Sequence, residues 1–182
     1  AEKIGFPIVL KIASEQISHK SDVGGVKLGL KSAEEVHATF TEVVERAAKM
    51  RPEAKIDGCL IQQMVPAGCK ELIIGFKRDP QFGPLLMFGL GGIFVEILKD
   101  ISFRLAPLSK EDAHNIIKEI KTYDILAGAR GEDPINFEAL EDVLLRVSQL
   151  SIDFPEILEA DFNPLMINSE KAYAADIRLA LK

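Results

Sequence analysis

The stretch from residue 58 to 105 limits the fold more than any other. It is a succession of short apolar runs, at residues 59–65, 71–76, 84–90, 94–98 and 102–105. Pro66-Ala67-Gly68, Asp79-Pro80 and Gly91-Gly92 punctuate it, because proline and glycine stop a strand and let it turn. Runs at this spacing predict hairpins and a mainly antiparallel sheet. Helical patterns lie on either side. Ser32 with Glu35 makes a capping box ahead of Val36, Phe40, Val43, Val44 and Ala47, which share one face; the helix stops before Pro52. Ser109 with Asp112 opens a second helix carrying Ala113, Ile116, Ile117 and Ile120. Asn136 caps a third carrying Leu140, Val143, Leu144, Val147 and Leu150. Strands and helices in separate blocks predict an α+β fold rather than a doubly wound parallel sheet.

A polar loop interrupts the first strand pair. In residues 7–30, PIVLKIASEQISHKSDVGGVKLGL, an apolar strand ends at Lys11 and another begins near Val26. A buried strand would fix the stem of Lys11 and aim its ammonium. Gly24-Gly25 permits close approach of the backbone and can turn N–H groups toward an anion. His19 stands beside Lys20 in the loop, where an imidazole can act as ligand or nucleophile. Lys11, Lys20 and Lys27 concentrate positive charge. Strand, loop and strand suit a phosphate lid over residues 19–26. The alternative for the same residues is a snorkelling lysine, a plain Gly-Gly hairpin and a solvated histidine.

The C-terminal hairpin carries the second constellation. A turn over residues 168–171 places Asn163 directly opposite Asp176, and Asp161 shares the face of Asn163 if the strand is regular. Two carboxylates and an amide oxygen make a hard-oxygen site suited to Mg²⁺. A strand-end turn with a solvent-facing Asp176 is the alternative. Acids set among Ala174, Ala175, Ile177 and Ala160 call for a partner such as a cation.

Composition removes other classes. The chain has 182 residues, 47% apolar and 27% charged, with a net charge of −6. That balance suits a globular protein, the length allows one large domain or two small lobes, and the charge argues against a general nucleic-acid surface. No apolar run is long enough to span a membrane. Cys59 and Cys69 lack metal-ligand spacing and read as thiols of a reducing cytoplasm. His37 and His114 lie off the apolar faces of their helices and read as solvated. Residues 1–5 resemble the last turn of a helix closed by glycine, so the first lobe is expected to lack an upstream part.

Taken in order, the segments GFPIVLKI, HKSDVGGVKLGL, IQQMVPAGCKELIIGFKRDPQFGPLLMFGLGGIFVEILKD, SFRLAPL, EADFNPLMI and AADIRL resemble the ATP-grasp subunit of ADP-forming acyl-CoA synthetases. Within that group they are most similar to the beta subunit of ADP-forming acetate–CoA ligases. Succinyl-CoA synthetase beta subunits are a more distant resemblance, without a histidine in the lid. The resemblance implies a two-lobed ATP-grasp fold, with residues 1–62 as an incomplete first lobe and 63–182 as the second, and ATP or ADP bound between them with Mg²⁺. It implies that Gln63, Met64 and Val65 meet the adenine, although relatives carry glutamate where this chain has Gln63. Lys11, Lys20, Gly24 and Gly25 would meet the phosphates, Glu71 the ribose, and Asn163 and Asp176 the metal. Arg104 is a phosphate partner by charge, and Glu96 falls in a matching strand. The matching histidine in relatives carries phosphate transiently, which assigns His19 as catalytic. Asp161 is expected to orient His19 or polarise metal-bound water.

The implied function is phosphoryl transfer between phosphohistidine and ADP or ATP in a cytoplasmic acetyl-CoA synthetase. A CoA-binding alpha subunit is the implied partner, in an α2β2 heterotetramer. One alternative is an ATP-grasp segment of a fused chain with CoA-binding and acetyltransferase domains. Another is a nucleotide-sensing module without catalysis.

Overall fold

The computed structural model describes residues 1–17, 19–92 and 98–182, with the backbone alone at Arg130. Two compact units make up the chain, Ala1–Met64 and Val65–Lys182. The division falls between Met64 and Val65 rather than between residues 62 and 63.

In the first unit, β1 (Ile8–Ala13) runs between β2 (Val26–Leu30) and β3 (Gly58–Gln63), antiparallel to both. Strand alternation sends Ile8, Leu10 and Ile12 to one face. There they are fully buried with Val43 and Ala47 of α1 (Ala33–Met50). Val9 and Lys11 take the other face. The Ser32 hydroxyl accepts from the Glu35 N–H at 3.2 Å. Glu35 reaches back to the N–H of Lys31 at 2.7 Å, one residue ahead of the partner a capping box requires. β3 stops at Gln63, so Met64 and Val65 lie beyond the strand expected over 59–65. Near Ala1, the N–H groups of Ile4 and Gly5 donate to the Ala1 carbonyl, and Gly5 is left-handed at φ +86°.

In the second unit a sheet runs in the order β6-β5-β4-β7-β8. Its strands are β4 (Lys70–Asp79), β5 (Gly83–Leu90), β6 (Ile101–Leu105), β7 (Ile157–Ile167) and β8 (Ala172–Ala174); β9 (Ile177–Leu181) also pairs with β7. Every ladder among the described residues is antiparallel, as the hairpin spacing predicted. Leu72, Ile74 and Phe76 of β4 and Leu86 and Phe88 of β5 point to the face that carries the helices. They pack with Ile116 and Ile117 of α2 (Lys110–Lys118), Leu126 of α3 (Tyr123–Leu126), and Leu140 and Leu144 of α4 (Phe137–Asp153). Ser109 and Asp112 complete a capping box at α2.

The short helix α3 has too few residues to carry a periodic signal. Its approach is fixed from a distance instead. The buried Asp100 carboxylate accepts from the Lys121 N–H, the Thr122 N–H and the Thr122 hydroxyl at 2.6–2.8 Å. Burial alone would push this carboxyl up; the three donors reverse the effect and hold it below its ordinary range. Of the strand expected over 94–98, residues 94–97, Glu96 included, lie outside the described residues.

Candidate functional site

Lys11 is 8% exposed although it carries a charge. The cause is its place on the central strand, where Val26 of β2 and Leu60 of β3 flank it in register. Strand alternation sets its side chain on the face opposite α1.

The loop beyond β1 is anchored on both sides of His19. Ile17 and Val23 are 4% and 3% exposed and join the core of the first unit. The Gln16 side chain accepts from the Lys55 N–H at 2.5 Å. His19 is exposed between these anchors, beside the half-buried Lys20. It therefore stands exposed between two residues buried in the core of the first unit.

The two glycines serve the loop in a way that differs from the expectation. Gly24 N–H donates to the Ser21 carbonyl at 2.9 Å and Gly25 N–H to the Lys20 carbonyl at 2.7 Å. Both donors are spent on the loop's own turn, so they do not point at an anion in this conformation. Gly25 is required by close approach and Gly24 by its left-handed backbone. A Cβ on Gly25 would lie 2.5 Å from Ile12 Cγ2 and 2.8 Å from the Lys20 carbonyl. One on Gly24, at φ +64°, would meet the Arg46 guanidinium at 2.8 Å. Lys27 is also removed from the phosphate set. It lies opposite Leu10, on the α1 side, and pairs with Glu42 at 2.8 Å.

The hairpin of the second unit has the register read from the sequence. Asn168 Oδ1 accepts from the N–H groups of Glu170 and Lys171, both at 3.0 Å, and shapes the turn. Asn136, the cap of α4, ties that turn to the helix: its N–H donates to the Asn168 carbonyl at 2.8 Å and its amide to the Glu170 carbonyl at 2.7 Å. Leu165 faces Ala174 on one side of the gap and Phe162 faces Ile177 on the other. Asn163 and Asp176 thus stand opposite each other, and the Asn163 N–H donates to the Asp176 carbonyl at 3.1 Å. The chain leaves the ladder between β8 and β9 opposite Pro164, which has no N–H to give.

Asp161 belongs to this cluster. The Asn163 side chain donates to its carboxylate, and Asp176 and Arg178 lie within electrostatic reach. Burial raises the Asp161 carboxyl above its ordinary range, and Glu159 and Asp176 add to the rise; Arg178 and the Asn163 amide oppose it. No group of three or more His, Cys, Asp or Glu among the described residues is placed to hold a metal. Asn163, Asp176 and Asp161 fit Mg²⁺, which takes one or two protein carboxylates and leaves the remaining positions to phosphates and water.

The remaining candidates are placed as follows. Gln63 ends β3 and is exposed, while Met64 and Val65 are half-buried where the two units divide. Glu71 is exposed on β4; its carbonyl accepts from the Gly91 N–H at 2.6 Å, and Gly92 backs its carboxylate. Arg104 is placed apart from the hairpin acids. It lies in the row of Leu86 and Phe76, on the helix-bearing face, with its guanidinium doubly bonded to Glu119. Asp161 lies in the row of Gly75 and Met87, on the opposite face. The structure therefore does not bring Arg104 to the hairpin. Arg178, opposite Asp161, was missed, although the register that pairs Asn163 with Asp176 also sets it there. A cavity of about 830 Å³ in the first unit, lined by Ile4, Leu10, Val36, Phe40, Cys59 and Ile61 among others, includes none of the candidates. His114 pairs with Glu141 at 2.8 Å. No helix among the described residues is long and apolar enough to cross a membrane.

Comparison with known proteins gives one consistent result. The sequence pattern of the ATP-grasp domain matches residues 1–181. The beta subunit of acetate–CoA ligase [ADP-forming] I from Pyrococcus furiosus is 53% identical over 179 residues, 98% of this chain and 77% of that subunit. Acetate–CoA ligase [ADP-forming] I from Archaeoglobus fulgidus is 50% identical over 181 residues, the whole of this chain but 26% of that protein. Among solved structures, the dinucleotide-forming acetyl-coenzyme A synthetase 1 of Ca. Korarchaeum cryptofilum, in complex with coenzyme A, Ca-AMPCP and HgCl⁺, superposes with a TM-score of 0.95 at 49% identity. That match covers all of this chain and 79% of the other. A second complex of the same protein, with coenzyme A and Mg-AMPPCP, gives 0.86 at 46% identity, covering all of this chain and 79% of the other; its phosphohistidine segment points towards the nucleotide-binding site.

Proposed function

The chain belongs to the ATP-grasp domain family, with beta subunits of ADP-forming acetate–CoA ligases among its relatives, and from that premise we propose that it is the nucleotide-binding part of an ADP-forming acetyl-CoA synthetase. The overall reaction converts acyl-CoA, phosphate and ADP reversibly to acid, CoA and ATP. This chain carries the final transfer, between a phosphohistidine and ADP. The observation that carries the reading is His19, an exposed imidazole on a loop held at both ends by Ile17 and Val23.

The chemistry follows from these residues. A neutral ring nitrogen of His19 attacks the phosphorus of a phosphohistidine on the partner; the partner's P–N bond breaks and its imidazole leaves. In the second step a terminal oxygen of ADP attacks the same phosphorus and the His19 P–N bond breaks, giving ATP. Lys20, beside His19, and Lys11, aimed from β1, offset the phosphoryl charge. Gln63, Met64 and Val65 hold the adenine and Glu71 the ribose. Asn163 and Asp176 would hold Mg²⁺, with Asp161 fixing the Asn163 amide. When bound, the ion supplies charge neutralisation for the polyphosphate. Gly24 and Gly25 act by packing the lid.

The partner is a CoA-binding alpha subunit in an α2β2 assembly, or CoA-binding domains on the same polypeptide; this chain spans about a quarter of the A. fulgidus relative. The assembly works in the cytoplasm, where ADP and CoA are available.

Phosphorylation of His19 tests the reading. The full-length protein and its partner are incubated with Mg²⁺ and γ-labelled ATP, and each polypeptide is examined for acid-labile, base-stable label. Label on this chain that disappears in His19→Ala is the expected result. Equal label on the partner without His19 would make the transfer direct. Label on neither, with nucleotide still bound, would reduce the chain to a nucleotide-sensing module.

A further inference from the structure

We propose that Arg178 is the phosphate-binding arginine of this site: set opposite Asp161 across the β7–β9 pair, it meets the terminal phosphates of the nucleotide held at the Asn163–Asp176 hairpin. The assignment rests on the reading of that hairpin as the metal–nucleotide site.

The argument begins with the row in which Arg178 lies. Gly75, Asp161 and Arg178 are successive partners across β4, β7 and β9. The side chains of Asp161 and Arg178 share the face opposite the helices. Gly75 adds no bulk beside Asp161, and a Cβ there would lie 2.5 Å from the Ala160 carbonyl. The acid is therefore flanked in its row by nothing on one side and a guanidinium on the other. Arg178 is exposed, so its head is open to a ligand.

Other cations of the second unit are engaged elsewhere. Arg104 is bonded to Glu119 on the opposite face. Lys77 pairs with Glu159 at 3.4 Å and Lys70 with Glu132. Lys171 lies over the Tyr173 ring at 5.3 Å. Arg178 alone of these five stands opposite an acid of the candidate metal site, Asp161. Before a divalent cation binds, the guanidinium offsets the repulsion between Asp161 and Asp176. Once their charge is taken up by the ion, the same guanidinium is free to turn its donors to phosphate oxygens, which it can do two at a time.

The test separates a phosphate-binding role from a structural one. Dissociation constants for adenosine, AMP, ADP and ATP are measured with Mg²⁺ on the full-length protein in complex with its partner, for wild type, Arg178→Gln and Arg178→Lys. Without its charge-assisted hydrogen bonds to the phosphates, the glutamine variant should bind ADP and ATP about ten- to a hundredfold more weakly. AMP should change less, adenosine should not change, and the lysine variant should recover part of the loss. ADP and ATP bound by Arg178→Gln as by wild type would overturn the assignment. So would an equal loss for all four ligands, which marks a structural role. Absence of Mg²⁺-dependent ADP binding by the wild type would instead overturn the functional reading, and this assignment with it.

Discussion

The hairpin at the end of the second unit and the histidine loop of the first both present polar groups to solvent, and they are held by opposite means. The hairpin is held by its backbone. Ladder bonds on both sides of Asn163, the Asn168 turn and the two bonds from Asn136 leave its functional side chains little to do for the fold. The loop is held by side chains. Ile17 and Val23 are its anchors, and Gly24 and Gly25 let it close against Ile12 and Arg46. A site on a ladder can lose a ligand and keep its shape. A loop on two apolar pins loses its shape with either pin.

The largest expected effect exploits the rigid half. Replacing Asp176 or Asn163 with alanine removes a proposed metal ligand from a break in the ladder, where the strands are joined through backbone bonds on either side. ATP formation with the partner should fall on the order of a thousandfold, the equivalent of several kcal/mol of lost charge stabilisation. The thermal unfolding midpoint should stay near that of the wild type. A collapse of the midpoint in either variant would show that the hairpin is not self-supporting and would erase the contrast.

The reverse is expected of the loop. Ile17→Ala touches no reacting group, yet it empties a buried position and should cost about 2–5 kcal/mol of stability in denaturant unfolding. It should also lower phosphorylation of His19, since one pin is gone. Gly25→Ala should cost about 1–3 kcal/mol by overpacking against Ile12 and the Lys20 carbonyl. If both variants keep wild-type stability and labelling, the loop is held by something other than its two anchors and the close approach at the glycine.

These two regions also differ in how much of them the sequence disclosed. The hairpin was legible because antiparallel register is arithmetic: a turn at residues 168–171 fixes Asn163 opposite Asp176, and the Asn136 cap reinforces the turn. The helices followed from their periodicity, and the antiparallel sheet from the spacing of its strands. The loop was half legible. Glycine there pointed to a special backbone, but sequence cannot distinguish an N–H aimed at an anion from one bonded to Lys20 or Ser21. Charge was misleading in the same way. Lys27 and Arg104 lie near the right segments in sequence but on the wrong faces of their sheets, each tied to a helix carboxylate. The short helix α3 depends on Asp100, too distant in sequence to announce it.

Asp161→Asn gives a smaller effect with a diagnostic sign. Because the Asp161 carboxyl titrates higher in the folded chain than its ordinary value, its ionised form opposes folding. The folded state takes up this proton before the unfolded state as pH falls. Stability from this group therefore rises as pH drops through the folded pKa, and is complete below the ordinary carboxylate pKa of about 3.9. Without metal, the asparagine variant should unfold at a higher temperature than the wild type at neutral pH, with the gap closing in acid. Activity should fall, because asparagine keeps the shape and loses the acceptor strength that orients Asn163. A variant less stable than wild type at neutral pH would mean that Arg178 and Asn163 outweigh the burial.

The smallest effect belongs to Arg104. Its pairing with Glu119 raises the guanidinium pKa and lowers that of the carboxyl, yet the pair sits at the exposed edge of β6, where ion pairs contribute little. Arg104→Met keeps a stem of similar length along the strand and should leave ATP formation within about twofold of wild type. The same measurement on Arg178→Met should show a large loss. The two arginines are both on outer strands of one sheet and differ in the face they occupy, so unequal losses would mean that face, and not charge, decides which of them meets phosphate. Equal losses, or a larger one at Arg104, would break that link and move the phosphate-binding role to the helix-bearing side.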